Sequence, residues 1–282
     1  MNAFLQLVRA PAALTVFGDT VAGAAASGKP LRGRRLLLPL SSVSFYWAGM
    51  ALNDWADRKL DAVERPERPI PSGRVSPDQA LAVAGGLTAA GLGLARAAGG
   101  RDTLKLAIPL VAAIWAYDTV LKNTPAGPAA MATCRALDVL MGAAHNPKKA
   151  LPSAIAVGGH TLGVTALSTG EVHGTSTRTA NAALAGTGLT ALTAVTGARS
   201  WRDRLGALAF TGLYTSMVGR AQYNATQDPS ATTVRTATMV GIHGMVPLQA
   251  ALAARRGSLL GAVAIAAALP VARRLARKVS PT

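Results

Sequence analysis

Four oxygen-bearing side chains set the chemistry of this chain: Asn53, Asp54, Asp57 and Asp61, within the stretch ALNDWADRKLDAVERPERPIPSGRVS. The three aspartates stand at i, i+3 and i+7. On a helix of 3.6 residues per turn they fall within about 60° of one face. Three carboxylates placed so closely repel one another, and a divalent cation relieves that repulsion. Hard oxygen donors suit Mg²⁺, which is held by one or two carboxylates together with waters and substrate phosphates. Asn53 adds an amide oxygen. Arg65, Arg68 and Arg74 follow, the donors expected around a diphosphate. A solvated helix end of mixed charge explains neither this spacing nor the Arg-Pro-rich loop behind it.

The elements that position these residues are read from composition and hydropathy. Of 282 residues, 50% are hydrophobic, 15% charged and 4% aromatic, with a mean hydropathy of +0.30. A soluble domain carries about 25% charged residues. Low charge and abundant Ala and Gly point to helices packed closely in a bilayer. The expectation is an all-α, polytopic bundle of nine or ten membrane spans around a central cavity, built as a single domain over 1–282. Apolar stretches place the spans near 10–27, 36–53, 79–97, 104–121, 126–144, 150–168, 181–197, 205–222, 234–253 and 257–276. Between the second and third, Ser76, Pro77 and Gln79 predict a capped helix start. The first span starts just after Arg9 and shows no cleavable signal.

The net charge of +16 comes from short basic clusters between apolar runs, such as Lys29, Arg32, Arg34 and Arg35. These read as loop charges beside lipid headgroups, not as a nucleic-acid surface. Lys and Arg are split between the two sets of loops, so orientation stays open. Cys134 reads as a packed thiol. His145, His160, His173 and His243 show no metal-ligand spacing. Trp47, Trp55, Trp115 and Trp201 are expected to anchor span ends. Asp19 faces the cavity or pairs with a base, and Gln249 is expected to bond between helices.

NDWADRKLD followed by ERPIPSGRVS resembles the first aspartate-rich signature of the UbiA superfamily of intramembrane prenyltransferases. LVRAPAALTV resembles the opening of that family's first helix. AYDTVLKNTPAGPAAMATCRALDVLMGA looks like its fourth-to-fifth helix hairpin, and details including LSTGEVHG look most like an EboC-like branch. The resemblance implies a transferase that moves an isoprenyl group from a prenyl diphosphate to an acceptor, with Mg²⁺ assisting departure of the diphosphate. It implies metal ligands at Asn53, Asp54, Asp57 and Asp61. It also implies catalytic roles for Asp54, Asp57 and Lys122, and substrate contacts at Arg65, Arg68 and Tyr117.

The chain departs from the family in its second acidic motif, where LSTGEVHGTSTRTA offers only Glu171, followed by His173. Glu171 is either a reduced second metal site with a catalytic role, or that site is lost. Asp118 and Asp138 are candidate substitutes and, with Arg135 and His173, candidate substrate contacts. Asp118 could equally pair with Lys122, and Arg135 with Asp138. The thin second motif keeps open a protein that binds or moves a prenyl lipid without transferring it. The expected setting is a bacterial cell membrane, with no nucleic-acid partner.

Overall fold

A computed structural model describes residues 3–267 and residue 270, and among these the chain is helical without strands. Helix α1 (Ala3–Leu7) leads through a 3₁₀ turn (Ala10–Thr15) into α2 (Phe17–Ala26), followed by α3 (Leu37–Ala56) and the short α4 (Arg58–Glu64). Then come α5 (Pro77–Ala116), α6 (Gly127–Gly142), α7 (Leu151–Ser168), α8 (Thr177–Val195), α9 (Trp201–Tyr214), α10 (Arg220–Gln227) and α11 (Ala231–Ala254). The all-helical bundle is the expected one. By length and composition, three stretches could cross a membrane: Pro77–Leu121, Pro147–Ser168 and Ala231–Ala254. The predicted stretch 257–276 lies partly outside the described residues.

Helix ends are set locally. Ser76 caps α5 as its sequence predicts: its hydroxyl accepts from the Gln79 amide at 3.1 Å, and its own amide donates to the Gln79 side chain at 2.9 Å. The two spans read as 79–97 and 104–121 are the two arms of α5, separated at Gly100, whose φ of 67° falls outside the helical region. Only glycine enters that region without steric cost, so α5 folds back beside α3 as a hairpin.

Small residues bring helices into backbone contact. A Cβ on Gly23 of α2 would strike the Val139 carbonyl, and one on Gly142 of α6 would strike the Thr20 backbone. Ser41 of α3 donates to the Gly91 carbonyl of α5 at 2.8 Å. Several buried polar groups find partners between helices, which offsets the cost of burying them away from water. His160 is one: its Nε2 donates to the Gly241 carbonyl at 2.9 Å, so its Nδ1 accepts from the Tyr214 hydroxyl at 2.8 Å. Gln249 bonds across the bundle as expected, donating to the Thr15 carbonyl at 2.9 Å and to Asp19 at 2.7 Å. The Trp115 indole N–H donates to Thr88 within the α5 hairpin at 3.2 Å.

The alternation of helices gathers loops 57–76, 122–126, 169–176 and 228–230 at one end. Lys122 reaches Asp57 at 2.7 Å across the first two, and the Thr175 amide donates to the Pro229 carbonyl at 3.0 Å across the last two. At the opposite end Arg255 is buried, where it donates to the carbonyls of Thr193 and Thr196 at the close of α8 and to Ser153.

Candidate functional site

The acidic run does not continue one helix. Helix α3 stops at Asp57, where φ −85° and ψ 2° leave the helical region, and α4 restarts at Arg58. The single acidic face read from the spacing is therefore divided. Asp54 and Asp61 are buried and turn toward a common point, which the Arg68 guanidinium fills. Its Nη1 lies 2.6 Å from Asp61 and 3.4 Å from Asp54. Arg65 also meets Asp61, at 3.3 Å. Asp57 turns away to Lys122.

Arg9 completes the group. It meets Asp54 at 3.2 Å from the N-terminal segment, and it is the one non-glycine residue with positive φ among those described, at 47°. A side chain in this left-handed region costs about 1 kcal/mol or more. Such strain collects at functional sites. The sequence signal for Arg9 was only an Arg two residues before a Pro.

Asp118 does not pair with Lys122. The segment Tyr117–Leu121 is a π-helical turn, in which the Lys122 amide bonds five residues back to the Tyr117 carbonyl at 2.9 Å. The extra residue rotates Lys122 off the face that Asp118 occupies. Asp118 instead accepts from the Asn53 amide at 3.1 Å, so the first motif is tied to a cavity of about 110 Å³ on whose wall Asp118 and Tyr117 both lie. Phe45, Leu110, Ile114 and Met131 supply its apolar lining.

Arg135 and Asp138 lie on the same wall, but they do not pair with each other. Arg135 binds Asp19, its Nε lying 3.0 Å from one oxygen and its Nη2 3.3 Å from the other. Asp138 accepts from Ser42 at 2.5 Å. Of the two readings of Asp19, pairing is the observed one.

Glu171 and His173 stand in loop 169–176, at the same end as the acidic cluster. Only the Glu171 carbonyl is engaged by a side chain, accepting from Arg235 at 3.0 Å. Among the described residues, no hydrogen bond or ion pair joins Glu171 or His173 to Asp54, Asp57 or Asp61. A larger open groove of about 680 Å³ between α10 and α11, lined by Arg220, Asn224 and Thr232 among others, lies apart from the acidic cluster.

Among the described residues, no three His, Cys, Asp or Glu side chains converge as a ready metal cage. The donors nevertheless suit a hard divalent cation. Asp54 and Asp61 already share one cation, the Arg68 guanidinium, which marks the point where positive charge is held. Asn53 and Asp57 belong to the same motif and carry further oxygens, although Asp57 is turned to Lys122. Asn53, Asp54, Asp57 and Asp61 are the residues that would hold Mg²⁺, and among the described residues no second group of acids stands around Glu171.

Comparison with known proteins agrees with the fold. A family model described as the UbiA prenyltransferase family matches residues 13–281. Two curated relatives are named digeranylgeranylglyceryl phosphate synthase. The one from Methanopyrus kandleri is 40% identical over 130 residues, 44% of this chain and 46% of that protein. The one from Methanospirillum hungatei is 33% identical over 118 residues, 42% of each. The chain thus matches less than half the length of these relatives. Among solved structures, one described as a digeranylgeranylglyceryl phosphate synthase superposes with a TM-score of 0.67 at 16% identity, over 93% of this chain and 98% of that one. A UbiA homologue from Archaeoglobus fulgidus bound to GPP and Mg²⁺ gives 0.60 at 13% identity, over 84% and 99%. At such identity these structures speak for the fold. The relatives' names do not support the expected EboC-like branch, and their archaeal sources do not support a bacterial membrane.

Proposed function

Since the chain belongs to the UbiA prenyltransferase family, we propose that it is a Mg²⁺-dependent intramembrane prenyltransferase, one domain over 1–282. The donor is a prenyl diphosphate. The observation that carries this reading is the pairing of the three motif carboxylates with four basic side chains beside an apolar cavity, to which Asn53 ties the motif.

The residues divide the work. Asn53, Asp54, Asp57 and Asp61 hold the cation. Arg9, Arg65, Arg68 and Lys122 exchange carboxylate for phosphate oxygens when the donor enters, and so steady the charge that grows on the leaving group. Bound Mg²⁺ adds Lewis-acid polarisation of the diphosphate. The allylic carbon–oxygen bond breaks with its electron pair on the diphosphate, and a lone pair on the acceptor forms the new bond. The released diphosphate takes the acceptor's proton. Tyr117 and the apolar wall keep the prenyl tail out of water. The relatives' name makes a glyceryl phosphate lipid a candidate acceptor.

Asp54→Ala and Asp57→Ala test this reading through pyrophosphate release from geranyl or geranylgeranyl diphosphate. A loss of about a hundredfold or more is expected, as for removal of an electrostatic catalytic group. Unchanged Mg²⁺-dependent release overturns it. The sparse acids around Glu171 favour one second reading, a protein that binds a prenyl lipid without transferring it. Donor binding with no pyrophosphate released in the presence of any acceptor would establish that alternative.

A further inference from the structure

At the end of the bundle opposite the acidic cluster, a separate cavity of about 150 Å³ opens between the close of α2, the start of α3, the bend of α5 and the close of α6. Lys29, Arg35, His145 and Thr103 line it, together with the buried Leu38 and Met141. The space equals about five waters at roughly 30 Å³ each, which suits a small ion and is too little for a drug-sized organic ligand. Arg35 is held there by backbone carbonyls: Nη1 donates to Lys29 at 2.7 Å and Nη2 to Gly142, the last residue of α6, at 3.1 Å. Carbonyls orient a guanidinium without cancelling its charge. Among the described residues neither Arg35 nor Lys29 has a carboxylate within ion-pair distance. The one acid on the wall, Asp102, is paired with Lys105 at 2.8 Å.

Two further features point to an anion. Desolvation, followed by the charges of Arg35, Lys29 and Lys149, holds the His145 imidazole below its ordinary pKa, so positive charge already crowds this point. Thr103 is 1% exposed, and among the described residues its hydroxyl has no hydrogen-bond partner. A buried donor left without an acceptor is costly. Gly99 leaves the space beside it, since a Cβ there would strike that hydroxyl. A guanidinium, an ammonium and a hydroxyl around one small space match a tetrahedral oxyanion, whose oxygens accept charge-assisted hydrogen bonds from the first two.

We propose that this cavity is an anion site for a single phosphate group, free or carried on a lipid headgroup, with Lys29 and Arg35 neutralising its charge and Thr103 donating to one of its oxygens. It lies apart from the acidic cluster and does not depend on the prenyltransferase reading. It needs no divalent cation, because its positive charge comes from side chains that no carboxylate occupies.

The test titrates inorganic phosphate calorimetrically into the full chain in a neutral detergent with EDTA present, and dihexanoyl phosphatidic acid into a second sample, with protein-free detergent as the blank. Both probes are expected to bind. Tighter binding of the lipid marks a headgroup site, and equal or weaker binding marks a site for free phosphate. Lys29→Gln is the chief variant, because Lys29 is exposed and its side chain forms no ion pair among the described residues. It is expected to weaken both probes about tenfold, as for one lost hydrogen bond to a charged group. Thr103→Val is expected to weaken them severalfold, and unchanged affinity in that variant removes Thr103 from the site. The Lys29 comparison stands if the valine variant does not fold. Arg65→Gln, at the acidic cluster, is expected to leave both affinities unchanged. Failure of both probes to bind at millimolar concentration overturns the proposal, as does an affinity that falls with Arg65→Gln and not with Lys29→Gln.

Discussion

Two acids of the first motif meet bases drawn from other parts of the chain. Arg9 reaches Asp54 across 45 residues, and Lys122 reaches Asp57 from the turn after α5. Exposed ion pairs contribute little to stability, whereas a buried acid left alone is expensive. Arg9 therefore stabilises Asp54, and under the proposed function it would become a phosphate ligand when the donor arrives. Arg9→Ala is expected to weaken binding of Mg²⁺–pyrophosphate about tenfold, the worth of one charge-assisted hydrogen bond, with Arg9→Lys recovering part of it. Equal affinity in the alanine variant would take Arg9 out of the site. Residue types and spacing made Asp54, Asp57 and Asp61 legible as a candidate site in the sequence. Their partners were not legible, because the break at Asp57 and the π turn at Tyr117–Leu121 are decisions of the backbone. Each shifts side chains by a fraction of a turn, and that is enough to exchange Lys122 from Asp118 to Asp57.

Helices were easier to read than their pairings. Long apolar runs with punctuating Gly, Pro and Ser marked most of the elements, and the capping box at Ser76 fixed one start to the residue. Which helices touch is set by small residues whose role shows only in three dimensions. Gly23 and Gly142 let α2 and α6 approach until each backbone meets the other, and this contact carries Asp19 to Arg135. Gly23→Ala or Gly142→Ala is expected to destabilise the bundle by about 1–3 kcal/mol through overpacking. The midpoint of thermal unfolding in detergent should fall accordingly. A midpoint equal to wild type would show that the two helices can move apart without cost.

At the level of the whole molecule, the bundle separates two jobs by depth. Charge collects at the end where four loops meet, and the apolar cavity lies against it with Asp118, Arg135 and Asp138 as the acidic and basic residues of its lining. The composition announced a membrane bundle and the family resemblance announced its donor, but no linear pattern showed that the cavity's one guanidinium is spoken for by Asp19. The Arg68 bridge between Asp54 and Asp61 bears on how such a protein is made. A chain leaving the ribosome must settle into the bilayer before any substrate reaches it. Carboxylates waiting for metal would make that step depend on cellular magnesium. Here the counter-ions are encoded in the same polypeptide, so insertion and assembly can finish first and loading can follow. Chelation with EDTA is accordingly expected to abolish turnover while leaving the helical circular-dichroism signal and the melting temperature of the purified protein unchanged. A fall in melting temperature on chelation would mean that metal, and not arginine, completes the fold.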